Sequence, residues 1–149
     1  MDESLKKAIM DLSKNYPSVF REARNNILSL EFVIAERKAF LSRQKLTYRC
    51  SLKIYDEDKV IRFFEILKES GSGMSVGSSD DDFGPGFGFK VEKTKIGLQG
   101  REGSIKEQSD FFRQKYEYNF NYEKIRNEIQ TTADNFGYKL QTVLVEKNL

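Results

Sequence analysis

Leu46-Thr47-Tyr48-Arg49-Cys50-Ser51-Leu52-Lys53-Ile54-Tyr55, running straight into Asp56-Glu57-Asp58-Lys59 and then Val60-Ile61-Arg62-Phe63-Phe64-Glu65-Ile66-Leu67, is the stretch that decides the fold. Its first part alternates. Leu46, Tyr48, Cys50, Leu52 and Ile54 fall on one side, and Thr47, Arg49, Ser51, Lys53 and Tyr55 on the other. That is the period of a strand with one face in a core and one in solvent. Asp56 is placed to cap a helix, and Glu57 and Asp58 to favour its positive end. Val60, Phe63, Phe64 and Leu67 then recur at helical spacing, and Gly71 offers a left-handed stop, so these residues predict a helix over 57–69.

The same pattern returns later. Lys115-Tyr116-Glu117-Tyr118-Asn119-Phe120 alternates and runs into Asn121, a second cap. A helix carrying Ile125, Ile129, Ala133 and Phe136 follows and stops at Gly137. Phe87, Phe89 and Val91 alternate as a strand toward Ile96, residues 105–121 supply the returning strand, and 138–145 the last one. The order strand-helix-strand-strand-helix-strand over residues 45–149 predicts an α+β fold: a ferredoxin-like βαββαβ antiparallel sheet with both helices on one face. Residues 1–44 read as an N-terminal helical extension. Leu5, Ile9 and Leu12 make one helical stripe over 3–15. Pro17 opens a second stretch with Val19, Phe20, Ala23, Ile27 and Leu30. Residues 29–42 suit strand or helix, and Glu36-Arg37-Lys38-Ala39 tilt the choice to helix. Residues 70–88 are dominated by glycine and serine and read as a flexible Gly/Ser/Asp loop.

Composition narrows the function classes. A chain of 149 residues, 38% hydrophobic and 32% charged, is one folded domain. No apolar run approaches the ~18 residues of a membrane helix. The start, Met1-Asp2-Glu3-Ser4, lacks a signal-peptide core, so cytoplasmic residence and no membrane partner are expected. Cys50 is the single cysteine, expected in the core. The chain has no histidine, which removes histidine-activated nucleophiles and histidine zinc sites and leaves carboxylates, lysine or tyrosine for any catalysis. Asp80-Asp81-Asp82 lacks the alternate spacing of a calcium loop, and Gly84, Gly86 and Gly88 lack that of a nucleotide loop. No metal and no cofactor are therefore expected. A net charge of +2 neither demands nor excludes a nucleic-acid partner.

These features lead to a non-enzymatic binding protein that docks on a macromolecule, foremost a protein: an accessory factor or small inhibitor of a larger complex, or a homo-dimer. Leu5, Ile9 and Leu12 are the expected partner-binding stripe. The alternative is an RNA or single-stranded DNA binding module. Strand parity gives it a basic open sheet face of Arg49, Lys53, Lys90, Arg113, Lys115 and Lys139, shared with Glu92 and Glu117. Gly86-Phe87-Gly88-Phe89-Lys90-Val91 resembles the aromatic core motif of RNA-recognition-motif proteins, and the resemblance implies base stacking by Phe87 and Phe89. Pro85 stands where that motif has a basic residue, and core packing with Val91 is the competing expectation for both rings. Tyr116, Tyr118, Phe120 and Tyr122 form an aromatic row expected in the core, its hydroxyls in need of partners. A carboxylate pair such as Glu92 and Glu117 is the only catalytic arrangement the sequence offers.

Overall fold

The computed structural model describes residues 2–73, 90–92, 104–114 and 116–149. Within them the chain is a mixed α+β fold with an N-terminal helix, and the strands follow one another rather than alternating with helices. Helix α1 (Glu3–Leu12) leads through the short strand β1 (Arg21–Glu22) into three long strands: β2 (Ile27–Ala39), β3 (Ser42–Tyr55) and β4 (Val60–Gly73). Strand β5 (Lys90–Glu92), helix α2 (Ile105–Arg113), helix α3 (Tyr122–Asn135) and strand β6 (Lys139–Thr142) complete it. The sheet runs β1-β2-β3-β4-β5, antiparallel throughout, except that β6 joins β4 in parallel. Strands β5 and β6 share one edge of β4, at Glu69–Gly71 and Val60–Phe63. In the gap between them the backbone N–H of Leu67 donates to the buried Gln108 side chain of α2 at 2.7 Å.

The ferredoxin-like order is thereby corrected. The helix expected over 57–69 is β4, and residues 29–42, read toward helix, form β2 and its turn. Residues 105–113, read as strand, are α2. Residues 116–121 belong to no strand. The physical reason lies in β4. Ile61, Phe63, Glu65 and Leu67 face the core side, while Phe64 and Ile66, on the opposite face, are buried as well, at 3% and 5% exposed. A strand apolar on both faces has no clean alternation and imitates a helical stripe. Asp56 accordingly caps no helix. It sits in the β3–β4 turn, where its carboxylate accepts the backbone N–H of Asp2 and the hydroxyl of Tyr138.

Other readings hold. Strand β3 places Leu46, Tyr48, Cys50, Leu52 and Ile54 in the core. Asn121 caps α3 by accepting the N–H of Glu123 at 2.9 Å. Gly137, at φ 78, ends that helix with the bonds Tyr138 N to Ala133 O and Gly137 N to Asp134 O, a Schellman stop. The aromatic row is packed: Tyr116 is buried, and Tyr118, Phe120 and Tyr122 lie against the core. The Tyr116 hydroxyl donates to Glu69, and that of Tyr118 to the Ser109 carbonyl.

Helices α1 and α3 pack on one face of the sheet. Leu5 and Ile9 of α1 are fully buried in a common cluster with Ile125, Ile129 and Ala133 of α3 and with Leu28, Leu30, Tyr48 and Leu52 of the sheet. Residues 1–44 are therefore not an appendage, since β2 pairs along its length with β3. The turns are tight. Asn25 and Asn26, at φ 61 and 59, join β1 to β2, a left-handed geometry asparagine tolerates. Phe40 and Leu41 alone join β2 to β3, with Leu41 at φ 64, which costs a branched residue about 1 kcal/mol. The register shifts between Val33 and Ala35, leaving a bulge in β2.

Ile66 tests the double-sided burial of β4. Replacing Ile66 by Ala should cost about 2–5 kcal/mol in urea unfolding. A loss under about 1 kcal/mol would mean that the outer face of the sheet is uncovered.

Candidate functional site

The ladder fixes which side chains share the face turned away from the helices. Register rows run Lys38–Arg43, Glu36–Lys45–Ser70, Val33–Thr47–Lys68, Glu31–Arg49–Ile66, Ser29–Ser51–Phe64 and Ile27–Lys53–Arg62. A cationic track results: Lys38 from β2, then Arg43, Lys45, Arg49 and Lys53 down β3, and Lys68 and Arg62 on β4. From Arg43 to Lys53 it extends ~33 Å at ~3.3 Å per residue. Tyr55 closes its lower end, with the Arg62 guanidinium 4.8 Å and the Lys53 ammonium 5.3 Å from its ring centre.

Three carboxylates answer this charge. Glu36 accepts from Arg43 at 2.6 Å and lies 4.0 Å from Lys45. Arg43 and neighbouring cations hold the Glu36 carboxyl below its usual range. Glu31 lies 3.9 Å from Arg49. The third comes from the chain end, which turns back over the face after β6. Glu146 accepts from the Arg49 guanidinium at 2.5 Å and from the Ser51 hydroxyl at 3.0 Å, and the Asn148 carbonyl accepts from Arg62 at 3.1 Å. Glu146 thus occupies an arginine-plus-hydroxyl cradle of the kind that binds a phosphate oxygen.

Sequence parity places Arg49 and Lys53 correctly on this face. Lys139, opposite Val60 on β6, lies at its edge. Arg113 is on α2, with its guanidinium 4.9 Å from the Tyr118 ring centre, and does not belong to the sheet. Lys90 is on β5 opposite Gly71. Lys115, Asp80-Asp81-Asp82, Phe87 and Phe89 lie outside the described residues, as does the loop from residue 74 to 88; residues 70–73 belong to β4. Sequence parity misses Lys38, Arg62 and Lys68, because the pattern tilts β2 toward helix and assigns β4 to helix, and Arg43 and Lys45, because β3 begins at Ser42 rather than at Leu46. Leu5 and Ile9 are fully buried and Leu12 half-buried, so the stripe expected to dock a partner is part of the core instead.

A buried charged group lies inside the fold. Glu65 points from β4 into the core, 6% exposed, where Tyr48 donates to it at 2.9 Å and the Arg126 guanidinium of α3 donates to its other oxygen. Burial pushes the Glu65 carboxyl above the ordinary range, against the pull of Arg126. Burial likewise pushes the neighbouring Cys50 thiol up, away from a reactive thiolate. An open groove runs elsewhere, on the solvent side of α3, bordered by Leu12, Asn121, Lys124 and Glu128. The buried trio of Tyr48, Glu65 and Arg126 ties helix α3 to the sheet. Among the described residues no group of His, Cys, Asp and Glu is placed to hold a metal, and no helix is long and apolar enough to cross a membrane. No protein-family model, curated protein or solved structure matches the chain.

Arg126→Met should destabilise the fold by about 3–5 kcal/mol at pH 7, because it strands the Glu65 charge. Without Arg126 the folded-state value of Glu65 rises further above its unfolded value of ~4.3. The deficit should therefore be smallest below that pH and grow as pH rises through the folded value. Urea titrations at acidic and alkaline pH check the sign; a pH-independent deficit would contradict it.

Proposed function

We propose that this protein is a non-catalytic module that binds single-stranded RNA or DNA along the outer face of its sheet. The observation that carries the reading is the cationic track of β3 and its neighbours, a line of charges that the returning Glu146–Asn148 segment crosses at Arg49, Ser51 and Arg62, with Thr47 along it and the Tyr55 ring at its end. A line of ~33 Å matches about ten nucleotides of stacked strand at ~3.4 Å each. Lysines and arginines in a row follow a polyanion, and hydroxyls and Tyr55 add contacts that do not depend on base identity. The overall charge of +2 is a sum over the whole chain and does not reveal this clustering. Docking of a partner protein through α1 has less support, since Leu5 and Ile9 have no surface to offer.

The track can be weakened without touching the core. The variant with Lys45, Lys53 and Lys68 all changed to Gln should bind single-stranded RNA or DNA more weakly. Its slope of log K against log salt should flatten by about one for each phosphate that is no longer neutralised. Wild-type protein that binds neither polymer at ~50 mM salt would overturn the reading.

Glu146 gives an opposite test. As a carboxylate in the phosphate position it competes with the ligand, so Glu146→Gln should raise affinity several-fold and steepen the salt dependence by roughly one unit, the share of one added phosphate. Unchanged affinity would show that the Arg49–Ser51 cradle takes no phosphate.

A further inference from the structure

The upper end of the track is an arm. Beyond Leu46 the β2–β3 hairpin leaves the helices behind: Glu36, Arg37, Lys38, Phe40, Leu41, Ser42 and Arg43 are all exposed. Its tip is apolar. Phe40 is 93% and Leu41 67% exposed. A phenylalanine this bare adds nothing to the core, and Leu41 stands in a left-handed position that glycine would fill with less strain. Two large apolar side chains at the end of a stiff ladder, with Lys38 and Arg43 facing each other one rung below, form a wedge with charge behind it.

We propose, resting on the single-strand reading above, that this tip engages the junction between paired and unpaired nucleic acid. Phe40 stacks on the terminal base pair, Leu41 fills beside it, and the released strand passes Lys38 and Arg43 onto the track. The chemistry recommends the geometry. Apolar side chains are the usual wedges at base steps, and an aromatic ring accepts any base because every base has a π-face. The arm is held for that task. Arg43 is clamped by Glu36 through both Nε and a terminal nitrogen, at 3.2 and 2.6 Å, and the third strand supports the hairpin with Ser42 opposite Gly73 and Gln44 opposite Gly71. An anionic lipid surface also attracts an apolar tip with basic flanks. It would use only charges within about one Debye length of the tip, ~8 Å, whereas this track continues for ~33 Å. A linear polyanion uses all of it.

The test compares three fluorescent DNA probes with the full chain: a forked duplex carrying 2-aminopurine at the last pair, a blunt duplex of the same sequence, and one of its single strands. Wild type should bind the fork at least about fivefold more tightly than either other probe, the low end of what one stacked base supplies, and should change the 2-aminopurine emission. The variant Phe40→Ser with Leu41→Gly removes the wedge from an exposed turn and should keep the melting temperature. It should bind single strand as before and lose the fork preference. A wild type that binds single strand and fork equally, or a variant that keeps the preference, overturns the wedge and leaves the single-strand reading standing. Failure to bind any probe overturns both. Sedimentation of wild type, but not of the variant, with phosphatidylserine vesicles, without fork preference, would assign the tip to lipid and overturn the proposal.

Discussion

Strand β3 is paired on both sides from Ser42 to Lys53, and the register of that double ladder is the constraint on which everything else rests. Side chains alternate with a period of two, so a slip of one residue would carry Tyr48, Cys50 and Leu52 into water and Arg49 and Lys53 into the core. Core and cationic track are thus two readings of one register. The apolar set that stabilises the sheet against α1 and α3 also lines up the charges on the other side, and no separate device is needed to align them.

Glu65 shows how strictly the register is kept. It occupies a core-facing position between Cys50 and the helix layer, where a carboxylate is costly unless its partners are complete. Arg126 reaches it from α3 and Tyr48 from β3. One side chain therefore links two strands and a helix, and Arg126 carries the interaction outward to solvent. Tyr48 also packs on Phe120, with ring centres 4.7 Å apart, which draws in the extended segment ahead of α3.

What the sequence reveals depends on how many faces of an element are wet. Strand β3 and helix α3 each keep one polar face, and their pattern, caps and stops are legible. Strand β4 is not, because Phe64 and Ile66 are buried along with the core-facing residues; Val60, Phe63, Phe64 and Leu67 then satisfy helical spacing by coincidence. The burial arises near the returning chain end, whose Glu146 and Asn148 bind Ser51 and Arg62 next to them, a contact between residues far apart in sequence. Other misreadings had local signals. Ser104 and Glu107 form a reciprocal capping box at the start of α2, the pattern Ser-x-x-Glu that marks a helix rather than a strand. Asn25-Asn26 marks a left-handed turn within a stretch whose apolar spacing suits a helix. Three of the seven cations of the track are invisible for the same reason, since Lys38, Arg62 and Lys68 acquire a common face only once β2 and β4 are strands.

The bulge in β2 has a bearing on how the molecule behaves among its own copies. Strand β1 pairs with β2 only at Leu28 and Ser29, the Ala23 N–H donates to the Ile27 carbonyl, and among the described residues no strand pairs with the rest of that edge. A long, flat, open edge would recruit the same edge of another molecule and grow a fibre. Here the extra residue between Val33 and Ala35 breaks the spacing of backbone donors and acceptors midway, and Glu36, Arg37 and Lys38 follow at once. Two such edges brought together find their bonding groups out of step and meet charges where they would pair. The irregularity that interrupts the β2–β3 hairpin thus works against edge-to-edge growth along β2.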